Sequence, residues 1–573
     1  MNSLTANSFW KTAPDLPRRR LHVSHPVRAF LLLGMLGLVV IPALRHSAAN
    51  RQILLIIDAK SNRHPISPYI YGVNEGLPST LRDLNIKLNR WGGNRATRYN
   101  WKEDTTSTAA DWYFQNLKSG PNRPEDDWKY KDYELFIRDN RQNNCDSLIT
   151  IPMIGRVAKD DKSKSFSVAK YGAQHSVAPE DNDAGDGIKP DGSHVDNDPN
   201  DSSVVADIEF QRDWVKQIVR TFGSANSNGV KFYTLDNEPD LWNDIHRDLH
   251  PKPAGYDEIF GLSKNYAQMI KSVDPSAQIT GPALSHWSSY FNSSVDNFNH
   301  GKDRKSHGDA PFLEWYLSQM RKAEKETGRR LLDYVDIHFY PETRAGKNHE
   351  RIVLDSEDEG DADIQAARLR STRALWDSTY DDESWIKQPV RLIPWLKETV
   401  AKTYPGTKIA ITEYKWGPDA AITSAIAQAD ALGLFGREGI DMAAFWNAGS
   451  ERFQNSPPEF AFKMYLNYDG QHGAFGDISV AAHSSDQDAL SIYSSVDSKN
   501  GDLIVVLINK TTQTLFPAFE VRNFTGKAIA EFRYSEQDVH RIIRLPIQQE
   551  AGFGQFSKTG FPARSITVLR FQP

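Results

Sequence analysis

The sequence predicts an α/β fold: a (β/α)8 TIM barrel with an additional antiparallel β-sandwich domain. From about residue 66, short apolar runs alternate with longer helical patterns, the signature of repeated βα units. Eight such runs can be counted before Pro457-Pro458. Beyond that dipeptide the helical patterns fade into strand-like runs separated by polar turns, the pattern of a sandwich.

The expected barrel strands are residues 69–74, 86–91, 147–154, 231–235, 278–282, 334–339, 408–412 and 441–446. Between them lie segments such as 210–222 and 422–436, with Leu, Ile, Val, Ala and Phe at helical spacing. Expected sandwich strands are 490–496, 503–509, 516–521, 528–534 and 565–571, and the alternating run 53–58, with no helix to follow, joins them. The expected division is therefore a barrel over 66–457 and a sandwich over 50–65 and 458–573. Two long insertions, 161–203 and 342–389, read as walls of a cleft. The first carries an acidic run, Asp181 to Asp186, whose oxygens and Gly turns suit a structural calcium ion. It lacks EF-hand spacing, so a solvated acidic loop is the competing reading.

Residues 29–44 are apolar and uncharged and follow Arg18, Arg19, Arg20 and Arg28, the layout of an export signal. At about 16 residues the run is short of the roughly 20 that span a bilayer. Ser47-Ala48-Ala49 offers a cleavage site, while Arg45 and His46 before it keep an uncleaved membrane anchor open. Residues 1–49 are thus a signal peptide or an N-terminal anchor of a secreted or extracytoplasmic protein. With 68 basic against 74 acidic residues the net charge is -6, which excludes a polybasic nucleic-acid binder. Cys145 is the single cysteine, so no intrachain disulfide or thiolate metal cluster forms. A monomer is expected.

In a (β/α)8 barrel the chemistry sits at the C-terminal ends of the strands. Those ends carry Asn74 and Glu75, Arg90 and Trp91, Asn237 and Glu238, His338 and Tyr340, Glu413, and Trp446 with Asn447. Glu238 and Glu413 each follow a buried-strand pattern and precede Trp residues. A carboxylate so placed must be paired, hydrogen-bonded or used, because desolvating it alone costs several kcal/mol or moves its pKa. Two in matching contexts, at the ends of the fourth and seventh strands, face each other across the barrel mouth. That is what glycosidic cleavage needs: a proton for the leaving oxygen and a nucleophile at the anomeric carbon.

The neighbours suggest roles. Asn237 suits the sugar 2-hydroxyl, and Glu238 is the acid/base. Tyr340 donates to Glu413, the nucleophile, and Arg90 adds positive potential. Trp91, His338, Trp376, Trp416 and Trp446 complete the expected substrate contacts. No cofactor is required by such a mechanism. A metal-dependent hydrolase built on His246 and His250 lacks ligand spacing.

The segments Leu88-Asn89-Arg90-Trp91-Gly92-Gly93-Asn94-Arg95, Leu235-Asp236-Asn237-Glu238-Pro239, Asp336-Ile337-His338-Phe339-Tyr340-Pro341 and Ile411-Thr412-Glu413-Tyr414 resemble those of glycoside hydrolase family 44. So do Gly436-Arg437-Glu438-Gly439-Ile440-Asp441 and Ala461-Phe462-Lys463-Met464-Tyr465. The resemblance runs from about residue 60 to the C-terminus. It implies a retaining endo-β-1,4-glucanase acting on cellulose-type chains and xyloglucan, with Glu238 as acid/base, Glu413 as nucleophile, and bound calcium unsurprising. The chain departs from the family at Tyr414-Lys415-Trp416-Gly417, where Tyr-Asn-Tyr-Gly is usual, and at Ser285-His286-Trp287, where Trp-Gly-Trp is expected. Those changes touch sugar contacts rather than chemistry. A mannanase or xylanase on the same barrel, and a non-catalytic polysaccharide-binding protein, are the alternatives.

Overall fold

The computed structural model describes residues 52–120, 129–353, 359–446, 449–547 and 552–573. The leader read in residues 1–49, and Asn447, lie outside them. No helix among the described residues is long and apolar enough to cross a membrane.

Eight parallel strands close into a barrel in chain order: Gly72–Asn74, Leu88–Trp91, Asp146–Ile151, Phe232–Leu235, Gln278–Leu284, Tyr334–Phe339, Lys408–Tyr414 and Met442–Phe445. All eight sequence-predicted strands are present. The first is shorter than expected because Pro68–Tyr71 forms a 3-10 turn, capped by the Ser67 side chain accepting from the Tyr69 amide. Helices such as Ile208–Phe222, with Asp207 accepting from the amides of Glu209 and Phe210 as N-cap, return the chain to the next strand.

The barrel interior is built in layers, as strand alternation demands. Leu88, Leu148, Phe232, Tyr334, Ala410, Met442 and Ala444 plug its lower end. Above them Asp336 accepts from Thr280 Oγ1 at 2.9 Å and Thr412 Oγ1 at 2.8 Å, and Thr280 Oγ1 also bonds Thr234 Oγ1. Burial pushes the Asp336 carboxyl up to about 6. The third layer, at the strands' C-terminal ends, is the polar site described below.

The second sheet has nine strands, running Ala518–Arg522, Leu54–Asp58, Ile478–Ser484, Leu490–Val496, Leu503–Asn509, Ser565–Gln572, Lys527–Ser535 and Asp538–Leu545, with His64–Pro65 pairing alongside Ile478–Ser484. It is antiparallel except where Leu54–Asp58 runs parallel to Ala518–Arg522. Its central strand explains a sequence that reads as continuously apolar. Leu503, Val505 and Leu507 enter the sandwich core with Leu55, Ile57, Leu569 and Phe571, while Ile504, Val506 and Ile508 join the main core on the other face. Two strands of this sheet, Ile478–Ser484 and Asp538–Leu545, escape the sequence pattern: one is rich in Ser and Ala, the other in charge.

Pro457-Pro458 also does the reverse of what the sequence suggests. The pair occupies the first turn of a helix, Pro457–Leu466, where a missing N–H has no intrahelical partner to lose, and Ser456 caps it. Helix Ile422–Glu438 lies between barrel and sheet and is buried from Thr423 through Gly436.

Candidate active site

Glu238 and Glu413 reach the same space from opposite sides of the barrel. After Leu235 the chain leaves the fourth strand through two left-handed residues, Asp236 at φ 62 and Glu238 at φ 47. Such a conformation is uncommon in residues other than glycine and persists only where surrounding bonds fix it. Here Asp236 accepts from Thr97 Oγ1, the Met153 amide and the Asn237 amide, and the Glu238 amide donates to the Ala283 carbonyl at 3.1 Å. Glu413 arrives by a bulge. In the pairing of the sixth and seventh strands Ile337 faces Ile411, but His338 faces Glu413, so Thr412 is the extra residue. Strict alternation would send Thr412 and Glu413 to opposite faces; the bulge lets Thr412 bond Asp336 below while Glu413 enters the site above.

Arg90, fully buried at the end of the second strand, ties the pair together. Its Nη1 donates to Glu413 Oε1 at 2.7 Å and to Asn74 Oδ1 at 2.9 Å, and its Nη2 donates to Asn237 Oδ1 at 2.7 Å. Asn74 in turn donates to the carbonyls of Thr412, Ala444 and Phe445, locking the first strand's end to the seventh and eighth. Gly92 makes room for the guanidinium, since a Cβ there would lie 2.4 Å from Arg90 Cζ. Tyr340 Oη donates to Glu413 Oε2 at 2.9 Å.

The two carboxyl groups sit in different electrostatic surroundings. Glu413 forms an ion pair with Arg90. Burial, reinforced by the Asp240 charge and opposed by Arg90, pushes the Glu238 carboxyl up to about 8. Desolvation likewise lowers His338, to about 4, so its ring is neutral. Its Nε2 faces the Arg90 Nη2 donor at 3.4 Å, which places the proton on Nδ1. Nδ1–H then donates to Glu238 Oε1 at 2.8 Å, leaving Oε2 as the oxygen free to carry a proton.

One oxygen each of Glu238 and Glu413, together with a His338 ring nitrogen, fall within 4.8 Å of one another. That closeness agrees with retaining glycosidases, whose carboxyls stand about 5–5.5 Å apart, rather than with inverting ones at about 6.5–9.5 Å. By distance alone the trio could hold a metal ion. The donor set argues against it, because Arg90 already occupies Glu413 and would repel a second cation at contact range.

The expected contacts divide. Asn237 is in place: its Oδ1 accepts from Arg90 and the Gly93 amide, and its Nδ2 donates to Asn94 Oδ1 at 3.2 Å. Trp446 is at the site, half-buried, its ring meeting the space a Cβ on Gly93 would fill. Three tryptophans are packed into protein away from the carboxylate pair. Trp91 is buried edge-on against Tyr99 and Trp214. Trp416 is 1% exposed, packed between Phe339 and Tyr414 with its N–H given to Ser371. Trp376 lies under the Arg437 guanidinium at the last turn of helix Ile422–Glu438, the end of the barrel away from the carboxylates.

The structure adds residues that pattern reading passed over. Asn94 donates to both oxygens of Asp111 at 3.1 Å, and burial pushes Asp111 up to about 6. Asn94 stands inside a quoted motif, but its partner lies in a segment with no strand or helix period. The 161–203 insertion braces the loop after Glu238: Arg247 donates to the Asp186 carbonyl and Ser165 to Asp248 Oδ2. In its acidic run, Asp181 and Asp183 both meet Lys164.

A family model described as glycoside hydrolase family 44 matches residues 105–343. Endoglucanase A of Paenibacillus lautus is 34% identical over 520 residues, covering 86% of this chain and 68% of that protein. The chain belongs to glycoside hydrolase family 44. This family-44 hydrolase also superposes on solved structures along nearly their whole length. A bifunctional glucanase-xylanase from a metagenome library gives a TM-score of 0.81 at 37% identity, covering 91% of this chain and 99% of that one. A Paenibacillus polymyxa xyloglucanase of family 44, solved with xyloglucan, gives 0.76 at 28% identity with the same coverages. Both the barrel and the sandwich therefore belong to the family-44 architecture.

Proposed function

We propose that this family-44 hydrolase is a retaining, endo-acting β-1,4-glucanase that cleaves cellulose-type glucans and xyloglucan, with Glu238 as acid/base and Glu413 as nucleophile. The observation that carries this reading is the approach of the two carboxyls to within 4.8 Å with opposite dispositions, one paired to Arg90 and one raised by burial. Glu413 attacks the anomeric carbon while Glu238 Oε2 protonates the glycosidic oxygen. The C–O bond breaks, and the leaving chain departs as an alcohol from a covalent glycosyl-enzyme. Glu238, now a carboxylate, takes a proton from a water whose oxygen displaces Glu413 and restores both groups. Asn237, held by Arg90 and Gly93, points its remaining amide hydrogen toward the 2-hydroxyl of the reacting ring.

The chemistry is assigned to the barrel, residues 66–457, with 50–65 and 458–573 as its supporting sandwich. The leader in residues 1–49 would deliver the enzyme to polysaccharide outside the cytoplasm, as a monomer. Similarity to a glucanase-xylanase makes xylan the natural competing substrate. Hydrolysis of barley β-glucan, xyloglucan, glucomannan and xylan, measured side by side, tests the substrate assignment; cleavage of xylan or mannan alone would remove it. Glu238→Gln and Glu413→Gln should each lower turnover by about 10³-fold or more with binding nearly intact. Azide should restore turnover to Glu413→Gly by replacing the missing nucleophile. Turnover unaffected by either change would remove the pair from the chemistry, and a wild-type protein that binds glucan without any turnover would be a polysaccharide-binding protein.

A further inference from the structure

Among the described residues, two charged side chains beside the carboxylate pair have no hydrogen-bond or ion-pair partner. Glu75 directly follows Asn74 at the end of the first barrel strand, and Arg95 lies in the turn after the second, next to Asn94. Both reach solvent. Among the described residues neither side chain makes a hydrogen bond or an ion pair. A surface carboxylate or guanidinium without a partner is ordinary, because water satisfies it. These two are different in place: Glu75 feels the charges of Asp132, Arg95, Arg90 and Glu413, and protein crowding pushes it up to about 7. Asp111, held by Asn94, feels Arg95 as well. Glu75 directly follows Asn74, which accepts from Arg90, and Arg95 directly follows Asn94, which accepts from Asn237, so both border the cleft that holds Glu413.

Their backbones are fixed more firmly than a rim loop requires. Glu75 has φ 49, and its amide donates to the Arg90 carbonyl at 2.9 Å. Gly449 packs so closely on the Glu75 carbonyl that a Cβ there would lie 2.5 Å from its oxygen. On the other side, Gly93 gives its amide to Asn237 while its Cα faces the Trp446 ring, and Asn94 anchors the next position to Asp111. The gripped neighbours, Asn74 and Asn94, point into the site, and the ungripped ones, Glu75 and Arg95, flank it. An acceptor and a donor at the rim of a cleft that also holds the half-buried Trp446 indole match the needs of a sugar ring. Its C–H face stacks on the aromatic surface while its edge hydroxyls both give and take hydrogen bonds.

We propose that Glu75 and Arg95 form a binding subsite for a glucosyl unit neighbouring the one that is cleaved, Glu75 accepting from its hydroxyl hydrogens and Arg95 donating to its hydroxyl oxygens. This rests on the glucan-hydrolase reading above and specifies where the chain is held. The pair supplies affinity and register along the glucan and takes no part in bond breaking.

The test is calorimetric titration of cellohexaose into the Glu238→Gln protein, then into the same protein carrying Glu75→Gln or Arg95→Gln, with thermal unfolding recorded for each. Hydrogen bonds to charged groups predict that each added change weakens binding by about tenfold or more. In the otherwise wild-type enzyme the same changes should shift which bond of cellohexaose is cut. Binding within twofold of the parent for both variants, with the cleavage pattern unchanged, would overturn the subsite while leaving the hydrolase reading intact. A wild-type enzyme that neither binds nor cleaves any β-1,4-glucan would overturn both. A variant whose affinity falls together with a collapse of its melting temperature would count against the subsite if the other variant bound normally.

Discussion

Arg90 gives its guanidinium hydrogens to Asn74, Glu413 and Asn237, so one side chain sets the positions of the proposed nucleophile and of the amide proposed to meet the sugar. Gly92 beneath it has no freedom to grow. Gly92→Ala should displace the guanidinium and lower kcat/KM by about 10²-fold, the cost of a misplacement near 1 Å, with the fold retained; steady-state kinetics and circular dichroism check both halves. Glu238 carries a second residue-scale consequence. As the proposed acid it must be protonated to act, so kcat/KM should fall as pH rises through about 8. The same raised value acts on stability. A carboxyl raised in the folded state contributes fully below its unfolded value, about 4.3, and loses that contribution as pH climbs toward the folded value. Melting temperature should therefore drop between pH 5 and pH 8 in the wild type, and drop less in Glu238→Gln, which has no proton to lose. Equal pH slopes for the two proteins would show that burial of Glu238 carries no such cost.

At the scale of elements, the bulge at Thr412 and the left-handed turn at Glu238 are where strand periodicity gives way to function. Helix Ile422–Glu438 shows the opposite, a segment whose burial on every side serves packing. It meets the barrel on one face and the sandwich on the other, and its Asp430 is sealed in with Lys510 at 2.7 Å, Thr372 and Tyr493. Lys510 and its hydrogen bonds hold the Asp430 carboxyl below the usual range despite its burial. Removing one partner of such a pair leaves a charge stranded, at a cost of about 3–5 kcal/mol, whereas replacing both is far milder. Lys510→Met should destabilise strongly in urea unfolding, and Lys510→Met with Asp430→Asn should recover part of the loss, a non-additivity that two independent sites would not show.

Across the whole molecule, most of the architecture was legible because it rests on repetition. Eight buried strands followed by helices announce a barrel through period alone, and Glu238 and Glu413 stood out as charges at the ends of apolar runs. What pattern could not supply was partnership. Trp91, Trp376 and Trp416 lay near strand ends or insertions and read as platforms, yet each is packed into protein, since adjacency in sequence says nothing about which way an indole turns. Asp111 and Asp240, which shape the charge around Glu238, have no periodic context. The charged strand Asp538–Leu545 was missed because an edge strand need bury only part of its surface, and Pro457-Pro458 opened a helix because capping, not composition, decides what a proline does there.

The claim on which the account turns is that Glu238 and Glu413 work at retaining distance through a covalent glycosyl-enzyme. Following the first-formed anomer of a β-1,4-glucan oligosaccharide by proton NMR, before mutarotation sets in, reads this directly. The approach of the two carboxyls to within 4.8 Å predicts the β-anomer as the initial product. Initial appearance of the α-anomer would mean that water attacks in a single displacement and would contradict it.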